Sequence, residues 1–238
     1  MPRIYQVGHW QSQQLVELTS EAASHIGRVL RMREGEPLIL FNGDGQEYAC
    51  QIEHVDKRRV IVKVLNCQPI DRESPLKMHL YQALSKGERM DMVMQKAVEL
   101  GVHEITPMLT AHSVVRLDSA RLEKKLMQWQ KIIISACEQC GRNILPRLNP
   151  VMDFAEALDS KLPLKLILSP HGGERLAIPL ESASVALYIG PEGGFNDKEI
   201  SLAQQKSVKS WLLGPRILRT ETAALSAVSL LQYAGGDF

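Results

Sequence analysis

Apolar and polar residues alternate along this chain with two different periods, and the change comes near residue 70. Before that point, short apolar runs stand between turn signals. Leu38-Ile39-Leu40-Phe41 runs into Asn42-Gly43-Asp44-Gly45, whose residue types favour a tight turn. Glu47 to Ile52 and Val60 to Leu65 follow as further strands, and one short helix from Glu21 to about Met32 precedes them. The pattern predicts a small barrel-like β domain over residues 1–70. Gln68 to Pro75 holds two prolines and a run of charges, so residues 71–75 read as a linker.

From residue 76 to 238 strands alternate with helices, which predicts an α/β domain built on a largely parallel sheet. Strands are expected at about 76–83, 104–109, 164–169, 185–189 and 210–213. Ser85-Lys86-Gly87-Glu88 has the form of a capping box before a helix that ends at Gly101. Asp118 is placed to cap a long helix reaching about Cys140, with Gly141 as its stop. Asn196, with Glu199 three residues on, marks another helix start. A last helix begins near Thr220 and ends before Gly235 and Gly236.

Composition narrows the class. With 45% hydrophobic residues a real core can form. No apolar run approaches the ~20 residues that a membrane-spanning helix needs, and the N-terminal residues have no apolar signal region. A cytoplasmic protein is therefore expected. The net charge of +1 singles out no acidic or basic partner, so any RNA binding has to use local patches. Two are visible, Arg28, Arg31 and Arg33, and then Lys57, Arg58 and Arg59; either also reads as an ordinary solvated face. Cys137 and Cys140 form a C-x-x-C without the second ligand pair that a zinc site needs. The pair lies late in the expected helix, where a thiolate is not stabilised. No metal is expected.

Three segments carry chemistry. In Val185-Ala186-Leu187-Tyr188-Ile189-Gly190-Pro191-Glu192-Gly193-Gly194-Phe195 an apolar strand runs into a glycine-rich loop, and ligands of parallel sheets collect at the carboxyl ends of strands. The loop is neither G-x-G-x-x-G nor a P-loop, which weakens dinucleotide and triphosphate readings and argues against a nucleotide-binding oxidoreductase. A plain tight turn also fits its glycines. In Leu212-Leu213-Gly214-Pro215-Arg216-Ile217-Leu218-Arg219-Thr220-Glu221-Thr222 a second strand meets a glycine loop and then a helix start with unpaired N–H groups. The third segment, Glu138-Gln139-Cys140-Gly141-Arg142, is a polar helix end, readable as helix capping alone.

Together these segments resemble the family of 16S ribosomal RNA uracil-N3 methyltransferases, within the SPOUT superfamily. Gly190 to Phe195 is similar to its GPEGG loop, Leu213 to Ala223 to its LGxRILRxETA segment, and Glu138 to Arg142 to its EQxxR segment. Arg89-Met90-Asp91 through Gln95 to Val102, Arg3-Ile4-Tyr5 and His25 to Gly35 match as well, so the resemblance spans nearly the whole chain. It implies a SPOUT α/β domain with a deep trefoil knot, an N-terminal PUA-like domain that grips RNA, and a homodimer through the knot domain. Knots are rare exceptions among folds, and nothing in the periodicity suggests one.

The resemblance also implies S-adenosylmethionine as methyl donor and the small ribosomal subunit, through its 16S RNA, as partner. Cofactor contacts are then expected from Leu168, Ser169, Ile189, Gly190, Glu192, Gly194, Leu213, Gly214, Ile217, Leu218, Arg219 and Thr222. Methylation at uracil N3 requires removal of a proton or stabilisation of the anion. Arg142 is the first candidate for that work, Arg219 the second, and Glu138 is a candidate base or a support for Arg142. Arg3, Arg28, Arg31 and Arg33 are candidates for phosphate contacts. A 2′-O-ribose or transfer-RNA methyltransferase of the same superfamily is the nearest rival. An RNA-binding assembly factor with a degenerate pocket is the rival outside enzymes, and the intact glycine loops argue against it.

Overall fold

The computed structural model describes residues 1–56, 59–113, 119–170, 173–175 and 179–238. The chain divides into two compact units. The first is Met1–Glu73 together with Cys137–Leu145, and the second is Ser74–Ala136 together with Pro146–Phe238.

The first unit is a five-stranded sheet made of β1 (Arg3–Tyr5), β2 (Leu15–Glu17), β3 (Pro37–Phe41), β4 (Gln46–Val55) and β5 (Val60–Pro69), in the order β1-β3-β4-β5-β2. Alternation decides its faces: Leu38 and Leu40, Tyr48, Cys50 and Ile52, and Val60, Val62 and Val64 all point into one core. The Asn42–Gly45 turn forms as expected. Asn42 Oδ1 accepts from Asp44 N at 3.1 Å, and Asp44 Oδ1 accepts from Gln46 N at 2.9 Å. α1 (Ser20–Ser24) is capped by the Thr19 side chain, which accepts from Ala22 N at 3.3 Å. The chain then widens into a π-helix over His25–Leu30, closed by Arg31 in the left-handed region at φ +52°. Periodicity places a helix here but does not distinguish its two windings. Of the second basic patch, Lys57 and Arg58 lie outside the described residues.

The second unit holds β6 (Lys77–Ala83), β7 (Glu104–Leu109), β8 (Arg147–Leu148), β9 (Met152–Asp153), β10 (Leu164–Leu168), β11 (Ser184–Ile189) and β12 (Lys209–Trp211). The order is β12-β10-β11-β6-β7-β8, with β9 also beside β7, and every pairing is parallel. Central strands β6 and β11 are buried along most of their length, as expected of a parallel sheet covered on both faces, although β6 carries the polar His79 and Gln82. The helices are α2 (Arg89–Glu99), α3 (Ser119–Cys140), α4 (Phe154–Ala157), α5 (Asp197–Gln205) and α6 (Thr220–Gly235); the last turn of α3 is counted with the first unit.

Two helix starts separate good local signals from misleading ones. At α5 the capping box forms: Asn196 Oδ1 accepts from Glu199 N at 2.8 Å, and Glu199 Oε2 accepts from Asn196 N at 2.9 Å. At α2 the expected box does not form. The helix begins only at Arg89, Glu88 is its cap residue without a side-chain bond, and the Ser85 hydroxyl is buried without a partner among the described residues. The donor just before this helix, Lys86 N, is satisfied from far away by Glu192 Oε1 at 3.1 Å. Asp118, the expected cap of α3, lies outside the described residues.

The stretch read as a linker is tied down. Arg72 bonds Glu47 at 2.6 Å and the Gly141 carbonyl at 2.8 Å, and Glu73 holds Arg142. Its charges suggest solvent, but they serve as partners for the Cys137–Leu145 segment. Asn143, only 1% exposed, extends the same network: it accepts from Arg3 and donates to Ile70 O at 2.9 Å and Glu47 at 3.3 Å.

Candidate cofactor pocket

In the second unit, the carboxyl ends of β10, β11 and β12 open into a cavity of about 390 Å³. Leu168, Ser169 and Pro170 come from the first of these strand ends, and the whole Ile189–Phe195 loop from the second. Trp211 to Gly214 come from the third, and the chain then runs through Arg216, Ile217 and Leu218 into Thr220 and Ala223 of α6. Asp197 and Ile200 of α5 complete the wall. This is where an open parallel sheet leaves room for a ligand, because successive connections diverge at the strand ends.

Glycine matters most at two places in that wall. Gly194 closes the loop at φ +67°, donating its N–H to Pro191 O at 2.9 Å, and Gly214 sits at φ +153°; side chains rarely adopt either backbone. An added Cβ at either position would meet nothing within 4 Å, so backbone conformation, rather than crowding, demands glycine there. From outside, His112 Nδ1 donates to Gly193 O at 3.0 Å and Gly194 O at 3.2 Å.

The carboxylate in the loop is anchored as well. Glu192 accepts from Lys86 N and from the Arg89 guanidinium. Burial opposes its ionisation, but backbone N–H groups and Arg89 outweigh that and hold the carboxyl below its ordinary range. Arg89 Nε also lies 3.6 Å from the Glu221 carboxylate at the start of α6. The wall is otherwise mostly aliphatic and aromatic, and among the described residues no His, Cys, Asp and Glu cluster could hold a metal.

Comparison with known proteins agrees with this geometry. The family model for an RNA methyltransferase domain matches residues 72–232, and that for an RNA methyltransferase PUA domain matches residues 18–65. A methyltransferase from Legionella pneumophila, solved with the bound cofactor SAM, is 50% identical; the structures align with a TM-score of 0.95 over 99% of this chain and 98% of that one. The ribosomal RNA small subunit methyltransferase E of Neisseria gonorrhoeae, solved bound to S-adenosylmethionine, is 40% identical with a TM-score of 0.95, covering 100% of this chain and 99% of that one. The protein of the same name from Buchnera aphidicola is 35% identical over 100% of this chain and 98% of its own length. This chain belongs to the ribosomal RNA small subunit methyltransferase E family. Its two units carry the family's fold class, a PUA-like β unit and a parallel α/β methyltransferase unit.

Within that family framework, the expected site residues separate into groups. Leu168, Ser169, Ile189, Gly190, Glu192, Gly194, Leu213, Gly214, Ile217 and Leu218 all line the cavity. Arg219 and Thr222 lie outside its wall, and both are exposed. The helix period explains this: Thr220 and Ala223 are three apart and share the face turned to the cavity, while Thr222 points elsewhere. Sequence reading also missed Trp211, Phe195 and Ile200, which a core assignment explains equally well.

Arg142 and Glu138 belong to the first unit. Arg142 is 4% exposed and grips Glu73 with two nitrogens, Nε to Oε1 being 2.9 Å. Glu138 accepts from Tyr5 N at 2.9 Å; burial raises its pKa, partly offset by that N–H. Of the phosphate candidates, Arg28, Arg31 and Arg33 are exposed around the π-helix. Arg3 is not available: it is ion-paired with Glu47, bonded to Asn143 and stacked 5.1 Å over Phe41. An arginine one turn from the chain start reads as solvated, yet β1 inserts beside β3 and carries it into a buried network.

Proposed function

We propose that this chain transfers a methyl group from S-adenosylmethionine to N3 of a uridine in the 16S RNA of the small ribosomal subunit, in the cytoplasm. The observation that carries the reading is the glycine-lined cavity at three parallel strand ends, built from the two segments most similar to the family's motifs. The cavity suits the cofactor. Its volume is in the range of about 300–1,000 Å³ typical of small-molecule sites. Aliphatic side chains offer faces for an adenine, loop backbone offers hydrogen bonds for its edges, and no metal is called for.

The cofactor's sulfonium supplies an electrophilic methyl group. The protein's own task is to hold the acceptor nitrogen in line with it and to exclude water. Uracil N3 carries a proton, and a nearby cation favours its loss by stabilising the anion. Arg219, exposed between the cavity residues Leu218 and Thr220, is our choice for that role. Arg142 we assign to fixing Cys137–Leu145 in the PUA-like unit, and Glu138 to holding β1 through Tyr5 N. Arg28, Arg31 and Arg33 are assigned to RNA phosphates. The domain division at about residue 70, the trefoil knot and a homodimer through the methyltransferase unit are part of the same reading. The exposed Leu230 and Tyr233, on one face of α6, support the dimer.

The test is methyl transfer from labelled cofactor to unmodified small subunits, followed by nucleoside mass spectrometry. The reading expects 3-methyluridine. A 2′-O-methylated nucleoside would redirect it to ribose chemistry, and cofactor binding without transfer to any RNA would favour an assembly factor.

A further inference from the structure

A hydrogen-bond relay behind the cavity wall links three elements that are far apart in sequence. Thr220 Oγ1 donates to the carbonyl of Gly190 at 2.6 Å. Gln82 Nε2 donates to the same Thr220 oxygen at 2.9 Å and to Ala83 O at 3.2 Å. Thr220 is 4% exposed and Gln82 is fully buried. Gln82 lies in β6 beside Ile189 of β11, level with the start of the glycine loop.

The proton count sets the direction of the relay. A threonine hydroxyl has a single proton, and here it is spent on Gly190 O. Its oxygen must therefore accept from Gln82, so the amide nitrogen faces Thr220 and the amide oxygen faces away. That oxygen, Oε1, is buried with no hydrogen-bond partner among the described residues. An unsatisfied buried acceptor is uncommon and calls for a reason. The amide is not solving a local problem of the sheet, since an apolar side chain would fill this core position without the orphan.

We infer that Gln82 is a positioning residue for the cofactor: through Thr220 it holds the Gly190 carbonyl, and so sets both the glycine loop and the first turn of α6 in the shape that receives the ligand. This rests on the reading of the cavity as the S-adenosylmethionine site. Gln82 need not touch the ligand. Thr220 and Gly190 form the wall, and Gln82 acts one bond behind them.

The experiment is calorimetric titration with S-adenosylmethionine on wild type, Gln82→Met, Thr220→Val, Thr220→Ser and the Gln82→Met/Thr220→Val pair, with thermal melts and transfer kinetics beside it. No binding by wild type would sink the cavity reading itself. With wild type binding, we expect Gln82→Met and Thr220→Val each to weaken binding about tenfold, seen also as a raised KM. At saturating cofactor kcat stays within about twofold, and the melting temperature of Gln82→Met does not fall, since the orphan acceptor is removed. Thr220→Ser restores binding, and the double variant is no weaker than either single, as expected of one relay. Unchanged binding in both single variants, independent additive losses, or weakened binding only in step with a lowered melting temperature would each overturn the inference.

Discussion

At the residue scale, the decisive groups are buried charges whose partners lie far along the chain. Arg142 and Glu73 are 4% and 7% exposed at their side chains, so each relies on the other for its desolvated charge. Arg142→Met is expected to lower unfolding free energy by about 3–5 kcal/mol, the usual penalty for orphaning a buried ion. Pairing it with Glu73→Leu should recover most of that loss, as measured by urea denaturation. If Arg142 instead acted on the reacting base, the double variant would regain stability and stay inactive.

A second residue sets the pH dependence of folding. His79 stacks on Tyr81 at 3.9 Å, bonds Thr106 Oγ1 at 2.7 Å and lies 3.6 Å from Glu104, beside Arg147. Burial pulls its pKa down to about 4, against the partial pull of Glu104 the other way. Between pH 4 and the ordinary 6.5 the unfolded chain therefore binds the extra proton. His79's contribution is complete above pH 6.5 and is lost as pH falls through that window. Stability measured across it should fall by up to about 1.4 kcal/mol per pH unit, and His79→Gln should flatten that part of the curve.

At the element scale, local signals succeed where the partner is three residues away and fail where a distant group competes. The capping box at α5 forms because Asn196 and Glu199 need only each other. Asn196→Ala should cost about 1 kcal/mol and Asn196→Gly only a few tenths. The similar-looking Ser85 serves no cap, because the helix begins only at Arg89 and its cap position falls on Glu88. Ser85→Ala should therefore leave the denaturation midpoint unchanged or raise it, whereas a true capping serine would lower it. Strand positions were legible where apolar residues dominate a stretch, as in β11 and most of β10; the two-residue strands β8 and β9 were not, since pairing with β7 alone defines them.

At the scale of the whole molecule, RNA binding through a chain of net charge +1 must come from a small patch. Arg28, Arg31 and Arg33 are exposed around the π-helix, so each can neutralise one phosphate. Replacing all three with alanine should weaken binding to small-subunit RNA and reduce the slope of log affinity against log salt by roughly 2–3, about 0.7–0.9 for each lost contact. Arg3→Ala should leave that slope alone and lower the melting temperature.

What the chain itself determined is what short-range physics controls: the two periodicities, the Asn42–Gly45 turn, the Asn196 cap, and the two glycine loops whose backbone shape places them at strand ends. Resemblance to the family's motifs, rather than these local signals alone, named the ten expected cofactor contacts that line the cavity. Tertiary structure alone decided the rest. It gave Cys137–Leu145 to the first unit, buried Arg3 and Arg142, chose which face of α6 lies on the cavity, and put Gln82 behind it. Each of these depends on a partner between 30 and 140 positions away, and burial and charge pairing at such separations exist only once the chain has closed on itself.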